Sequence, residues 1–316
     1  MAAPRVLSMG NMLVEIMRPQ LDAPLDQPGA FEGPFPSGDT VIYIGQVARL
    51  GLPACYIGAV GDDDFGDCLL RRLHADGVNC SQVRVLPQHS TGVAFNARFS
   101  DGGRRFLFHW RHAAAGQLAP EHVDTAALAD VNWLHLSGCN LAICESARAA
   151  CFHAMDSMPA AAQISFDPNI RPEVLSVAEI RELCQPVIER ASLILPSAGE
   201  AAMLTGAADD EAGCRLWAGQ GKLVALKQGE AGCTLYRGDE RLHVPGFAAD
   251  EVDATGAGDS FAAALTVALL EGMPLAQAGR FANAVGALAV TRIGPMEGSP
   301  TRAEVEAFMR AQEVMA

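Results

Sequence analysis

From Val131 onward, short apolar runs alternate with helical stretches. Trp133 to Leu136, Ile164 to Asp167, Leu193 to Leu195, Leu223 to Leu226 and Thr234 to Tyr236 are separated by segments such as Ser146 to Met155 and Val177 to Arg190. Strands too apolar to face water, each followed by a helix, imply a mostly parallel sheet covered on both faces. Ligands of such sheets bind beyond the carboxyl ends of the strands. Polar residues stand at those ends: Asp167, Asn169 and Arg171 after Phe166, Ser197 and Glu200 after Leu195, and Lys227 and Gly229 after Leu226. Set at equivalent ends of one sheet, they describe a single cleft.

A further strand-end segment, Asp253-Ala-Thr-Gly-Ala-Gly-Asp-Ser-Phe261, runs into the apolar helix-forming run Ala262 to Leu270. Gly256 and Gly258 let the backbone approach a ligand, and the N–H groups that open a helix carry the positive end of its dipole, so the loop favours an anion. A carboxylate, Asp259, stands beside that anion site. It suits a base that takes a proton from a hydroxyl attacking a bound phosphate; alternatively it is a first-turn acid that stabilises the helix. Lys227 and the loop amides suit phosphate, and Glu200 suits a hydrated Mg²⁺ that keeps its waters.

The amino-terminal half changes period. Val6 to Met9 reads as a strand ending at Gly10, Val14 to Met17 as a second extended piece, and Pro19 to Gly38 as a long irregular insertion. Thr40 to Leu50 suits a helix stopped by Gly51, and Ala54 to Val60, Asp62 to Ala75 and Val78 form a strand-helix-strand unit. In Thr91 to Arg111, Val93, Phe95, Ala97 and Phe99 alternate with smaller or polar residues, Asp101-Gly102-Gly103 turns, and Phe106, Phe108 and Trp110 alternate again. That is a β-hairpin, expected to pair with the segment at Val14 and to lie off the main sheet.

Composition narrows the partners. Of 316 residues half are hydrophobic and 19% charged, enough for a sizeable core, and a net charge of -14 argues against a nucleic-acid or anionic-membrane partner. The nine cysteines show no Cys-x-x-Cys pair, so they are expected to be reduced and mostly buried. No segment reaches the roughly 18 apolar residues of a membrane span, and a soluble, cytoplasmic protein is expected. Neither a Walker loop nor a Gly-x-Gly-x-x-Gly dinucleotide fingerprint is present. The histidines, among them His135, lack metal-ligand spacing and read as structural or surface residues.

Over essentially its full length the chain resembles the ribokinase, or PfkB, family of sugar kinases. Asp253 to Phe261 is similar to that family's C-terminal signature, and Gly38 through Ala48-Arg49-Leu50-Gly51 to the N-terminal one, followed by Gly61-Asp62-Asp63-Asp64-Phe65-Gly66. The resemblance implies an α/β fold of three αβα layers, ribokinase-like, with a small β-sheet lid. It implies a single kinase domain over 1–316, with lid segments at approximately 11–40 and 90–112. It also implies a kinase using ATP and Mg²⁺, with Gly256, Ala257 and Gly258 forming an anion hole, Asp259 the base and Glu200 organising the metal. Lys227, Gly229, Ser197 and Asn283 would lie at the nucleotide, and Gly38, Asp39, Glu15, Arg111, Asn169 and Arg171 at the substrate. A homodimer through the lid is part of the same expectation. Two positions depart from the pattern: Ser197 stands where the metal-organising element begins with Asn, and Ile42 where a sugar-binding Asn is usual. Gly33 to Gly38 and Val47 to Gly51 look like tagatose kinases, while Asn169-Ile-Arg171 and Phe108-His-Trp-Arg111 resemble 2-keto-3-deoxygluconate kinases. The substrate is therefore expected to be a ketohexose or, if Arg111 and Arg171 converge on a carboxylate, a keto-deoxy sugar acid. A nucleoside kinase of the same family and a non-catalytic sensor are the alternatives.

Overall fold

A computed structural model describes residues 5–101, 103–170 and 175–315. The chain opens with β1 (Arg5–Gly10), β2 (Leu13–Met17), β3 (Glu32–Ser37) and α1 (Asp39–Arg49). β4 (Ala54–Gly61), α2 (Asp64–Asp76) and β5 (Asn79–Leu86) follow, then the hairpin of β6 (Gly92–Arg98) and β7 (Arg104–His109). The alternating half contains β8 (Val131–Ser137), α3 (Gly138–Leu141), α4 (Glu145–Asp156), β9 (Gln163–Asp167), α5 (Val177–Arg190), β10 (Leu193–Ile194), α6 (Glu200–Thr205), α7 (Asp210–Gly219) and β11 (Leu223–Lys227). β12 (Cys233–Arg237), β13 (Glu240–Val244), α8 (Ala257–Leu270), α9 (Leu275–Ala289) and α10 (Arg302–Met315) complete it.

The large sheet has the order β13-β12-β11-β10-β9-β8-β1-β4-β5. It is parallel from β11 to β5, with β12 and β13 added antiparallel at one edge. Its strands sort their side chains by the two-residue period of extended chain. In β11, Leu223 and Ala225 join the core built with α1, α8 and α9, while Val224 and Leu226 join the one built with α4, α5 and α7. Each fully buried Leu or Val contributes about 1.5–3 kcal/mol, so this sorting holds the three layers in place. Helix α8 is buried from Ser260 through Ala268, which fits a helix apolar on nearly every side.

The polar His135 is matched inside the layers. Tyr43 stacks on His135 with centroids 3.7 Å apart, and His135 shares a hydrogen bond of 2.9 Å with Ser165. Burial pushes the His135 imidazole down to about 3, so it is a neutral core residue. The nine cysteines form no disulfide, five of them are buried, and burial pushes Cys151, Cys184, Cys214 and Cys233 up to about 12.

A separate sheet of order β3-β2-β6-β7 lies over the strand ends. β2 runs parallel to β6, with Val14 opposite Val93, as the alternation had led us to expect. The passage expected to be irregular from Pro19 to Gly38 instead ends in a strand, β3, paired antiparallel to β2. Its sequence, Glu-Gly-Pro-Phe-Pro-Ser, hides it, because Pro34 and Pro36 argue against a strand. β3 sits at the sheet edge, where a missing N–H costs little.

Candidate active site

The cleft is built at the strand ends, and its polar floor begins with α1. Gly38 caps that helix at φ 109, and a β-carbon there would lie 2.2 Å from the Asn11 carbonyl, so only glycine fits. Asp39 follows in the first turn. Its carboxylate accepts the Thr40 N–H at 2.8 Å, Asn140 Nδ2 at 3.3 Å, Asn169 Nδ2 at 2.6 Å and the Ser137 hydroxyl. Asn169 reaches Asp39 from a left-handed turn at φ 38, held by its own N–H donating to Asp167 Oδ1. Residues from the ends of β8 and β9 are thus locked to the start of α1.

The lid supplies the roof. Glu15 on β2, 2% exposed, accepts from Asn96 Nδ2 at 2.8 Å and Ser37 Oγ at 3.2 Å, joining three lid strands. Burial, reinforced by the nearby Asp253 carboxylate, pushes its carboxyl up to about 7 against those hydrogen bonds. Phe106, Phe108 and Trp110 stack in series along the cleft, with centroids 5.5 and 4.3 Å apart. Ile42 stands on the floor, its Cγ2 3.3 Å from where a β-carbon on Gly256 would lie.

At the far end Lys227, closing β11, donates to Asp167. Burial works against its charge, and the carboxylates of Asp167, Glu200 and Asp259 more than offset this, leaving the ammonium above its ordinary range. Asp167 and Glu200 are both raised, chiefly by burial. Beside them Gly256, at φ 81, caps α8, and Asp259 lies in its first turn. The Ala257 N–H donates to the Ala254 carbonyl at 3.3 Å, which leaves Gly258 as the loop amide best placed to meet a ligand.

Two cavities meet here. The first, about 400 Å³, is lined by Glu15, Gly38, Asp39, Asn169, Ser197 and Asp259 among others. The second, about 670 Å³, is lined by Gly229, Ala257, Asn283 and Gly286 and is more apolar in character. Lys227, Ala254 and Gly258 belong to both. A phosphoryl donor in one and a hydroxyl in the other would face each other across Gly258, with Asp259 at the junction.

The expected residues divide accordingly. Gly38, Asp39, Glu15 and Asn169 gather in the first cavity with Gly256, Gly258 and Asp259. Ser197, expected at the nucleotide, lies in the first cavity together with Asp167. Asn283 does line the second, but its amide nitrogen donates to the Val244 and Pro245 carbonyls at 2.9 and 3.0 Å and so shapes the wall. Glu200 lines neither; its two oxygens accept the Ser197 and Ile170 N–H groups at 2.7 Å each. It braces the turns at the ends of β9 and β10.

Arg111 is a correction. It is exposed, donates from Nε to the Ile143 carbonyl at 3.0 Å, and lines a separate groove with Arg148, Glu179 and Glu182. Arg104, Phe106, Phe108 and Trp110 line the cleft, so the two-residue period puts position 111 out of phase with them, and the chain has already left β7 there. Arg171 lies outside the described residues. Among the described residues, the arginine that does line the cleft is Arg104, two residues before Phe106 and on the same face of β7. The alternation that marked Phe106 and Phe108 was a signal for it.

Among the described residues no cluster of three or more His, Cys, Asp or Glu side chains converges as a direct metal cage. Asp167, Glu200 and Asp259 around one lysine nonetheless form an excess of acid. Such a set fits a divalent cation that keeps most of its waters.

Residues 45–302 match the pfkB family carbohydrate kinase model. Probable fructokinase-4 of Arabidopsis thaliana is 32% identical, over 96% of each chain. An E. coli protein provisionally named ribokinase II, solved with ATP and Mg²⁺, is 40% identical with a TM-score of 0.92 over 98% of this chain and 99% of that one. The fructokinase of Vibrio cholerae, solved with fructose, ADP and calcium, is 26% identical with a TM-score of 0.84 over 97% and 99%.

Proposed function

The chain belongs to the pfkB family of carbohydrate kinases, and on that premise we propose that it moves the γ-phosphoryl group of Mg-ATP to a hydroxyl of a neutral ketohexose. The observation that carries the reading is the meeting of the two cavities at Lys227 and Gly258, with Asp259 at the junction. ATP occupies the larger cavity against Gly229 and the Asn283 wall, and the sugar sits between Asp39, Asn169 and the lid. Asp259 takes the proton of the attacking hydroxyl while the Gly258 amide and the Lys227 ammonium hold the transferring group. Positioning and electrostatic stabilisation supply most of the acceleration in such a transfer. Asp167, Asp259 and the Glu200-braced turn would hold a hydrated Mg²⁺, which would supply charge neutralisation of the phosphates.

The ketose is favoured over a sugar acid on electrostatic grounds. Arg111 faces another groove, Arg104 is committed to Asp253 and Lys227 to Asp167, so among the described residues the sugar cavity holds carboxylates in excess of unpaired cations. A substrate carboxylate would meet net repulsion there. The stacked Phe106, Phe108 and Trp110 favour a second reading, a nucleoside whose flat base lies on the aromatic ladder.

A coupled ADP-release screen across fructose, tagatose, ribose, 2-keto-3-deoxygluconate and several nucleosides separates these readings. Turnover of a neutral ketohexose well above the others is expected; preference for the keto-deoxy acid would overturn the charge argument. The chain is read as one domain over 1–316 with lid segments near 11–40 and 90–112, acting in the cytoplasm. No described helix is long and apolar enough to cross a membrane. Leu107 and Phe31, 49% and 42% exposed, support a homodimer through the lid, which sedimentation would test.

A further inference from the structure

The roof of the sugar cavity and the loop that opens α8 are joined by two arginines. Arg98, ending β6, donates from Nη1 to the Val252 carbonyl at 2.7 Å. Arg104, opening β7, donates from Nη1 to Thr255 Oγ1 at 2.7 Å, and its Nη2 lies 3.6 Å from Asp253 Oδ1. The Asp253 side chain is 0% exposed, and its oxygens also accept the Thr255 N–H at 3.1 Å, the Thr255 hydroxyl at 2.7 Å and the Gly294 N–H at 3.1 Å. Among the described residues Arg104 is the cation paired with it.

We propose that Arg104 is a positioning residue for phosphoryl transfer, coupling closure of the lid over the sugar to the conformation of the loop that presents Gly258 and Asp259. A buried carboxylate that loses its cation is strongly destabilised, so a lifted lid leaves Asp253 uncompensated and loosens the Thr255 turn. Thr255 directly precedes Gly256, the cap of α8, so loosening it displaces the amide and the carboxylate on which the reaction depends. With the lid down, the Arg104 guanidinium fixes Thr255 and Asp253 together. Sugar binding, which holds the lid down, thereby completes the transfer site, and ATP alone does not.

This inference rests on reading the smaller cavity as the sugar site. The test compares wild type with Arg104→Met, Arg104→Lys and Thr255→Val, measuring kcat and KM for fructose and for ATP. It also follows amide exchange of residues 252–258 with and without fructose. Arg104→Met should lower kcat about 10- to 100-fold, the scale of a small misplacement of reacting groups, with KM for ATP changing by no more than about threefold. Arg104→Lys should recover part of the loss, because the ion pair survives while the forked contact does not. Thr255→Val, which breaks the same contact from the loop side, should lower kcat as well, and the Arg104→Met/Thr255→Val double variant should be no slower than the slower single. Fructose should slow exchange at 252–258 in wild type and not in Arg104→Met. Unchanged kcat, a loss confined to KM for fructose, additive losses in the double variant, or equal protection in both proteins would each overturn the coupling. Should Arg104→Met fail to fold, Arg104→Lys and Thr255→Val probe the same contact. Absence of wild-type turnover with fructose would instead fail the substrate reading, and the screen's preferred acceptor then replaces fructose in every arm.

Discussion

Asn96 on β6 donates its side-chain amide to Glu15 on β2 at 2.8 Å, within the lid sheet, where Glu15 is 2% exposed. Burial pushes that carboxyl from 4.5 up to about 7, so between those pH values the folded chain binds a proton that the unfolded chain does not. Stability contributed by this group is therefore present at low pH and lost as pH rises through the window. At about 1.4 kcal/mol per unit the loss is roughly 3 kcal/mol. Glu15→Gln should abolish it, so urea midpoints of wild type and variant should converge at the acid end of the window and diverge toward neutrality, with the variant the more stable. Parallel profiles would show that Glu15 ionises normally.

Asp259→Asn keeps the shape of the first turn of α8 and removes the carboxylate proposed as the base. We expect kcat to fall by roughly 10²- to 10⁴-fold with a small effect on ATP binding, measured by steady-state kinetics and calorimetry. Near-normal turnover would remove Asp259 from the mechanism and leave it the helix-stabilising role.

Gly256→Ala places a β-carbon 2.2 Å from the Pro295 carbonyl in a left-handed residue at φ 81, so backbone must move. The left-handed strain of about 1–3 kcal/mol and the backbone clash, about 1–3 kcal/mol more, should add, and turnover should fall with them. Gly229→Ala is the contrast: at φ 59 with nothing within 4 Å, it should cost only about 1–2 kcal/mol. Chemical denaturation of the two variants checks the order, and equal losses would contradict the steric reading.

Arg111→Ala should leave KM for a ketohexose unchanged, because the side chain lines a separate groove and donates to Ile143. Its stability should change by no more than about 1 kcal/mol, the scale of one exposed hydrogen bond. A rise in KM of about tenfold or more would return Arg111 to the sugar site.

The layered sheet, the hairpin and its pairing with the segment at Val14 were legible because each rests on a local period: side chains alternate in strands and recur by turns in helices. Asp259, Gly256 and Lys227 were legible because they stand at strand and helix ends, where backbone polarity concentrates. β3 was not, since Pro34 and Pro36 mask an edge strand that only its pairing with β2 creates. Glu200 was visible as an acid near the cleft, but its orientation toward the Ser197 and Ile170 amides follows from turns that no local pattern encodes.

By itself the sequence determined the layers, the loop that opens α8 and the carboxylate beside it, all features set by neighbours within a few residues. Tertiary structure alone decided which partner each arginine meets. Arg104 meets Thr255 across 151 positions of chain, while Arg111, seven residues further along, turns to Ile143 instead. A long side chain goes where packing leaves it a partner, and those partners are assembled only when distant strand ends come together.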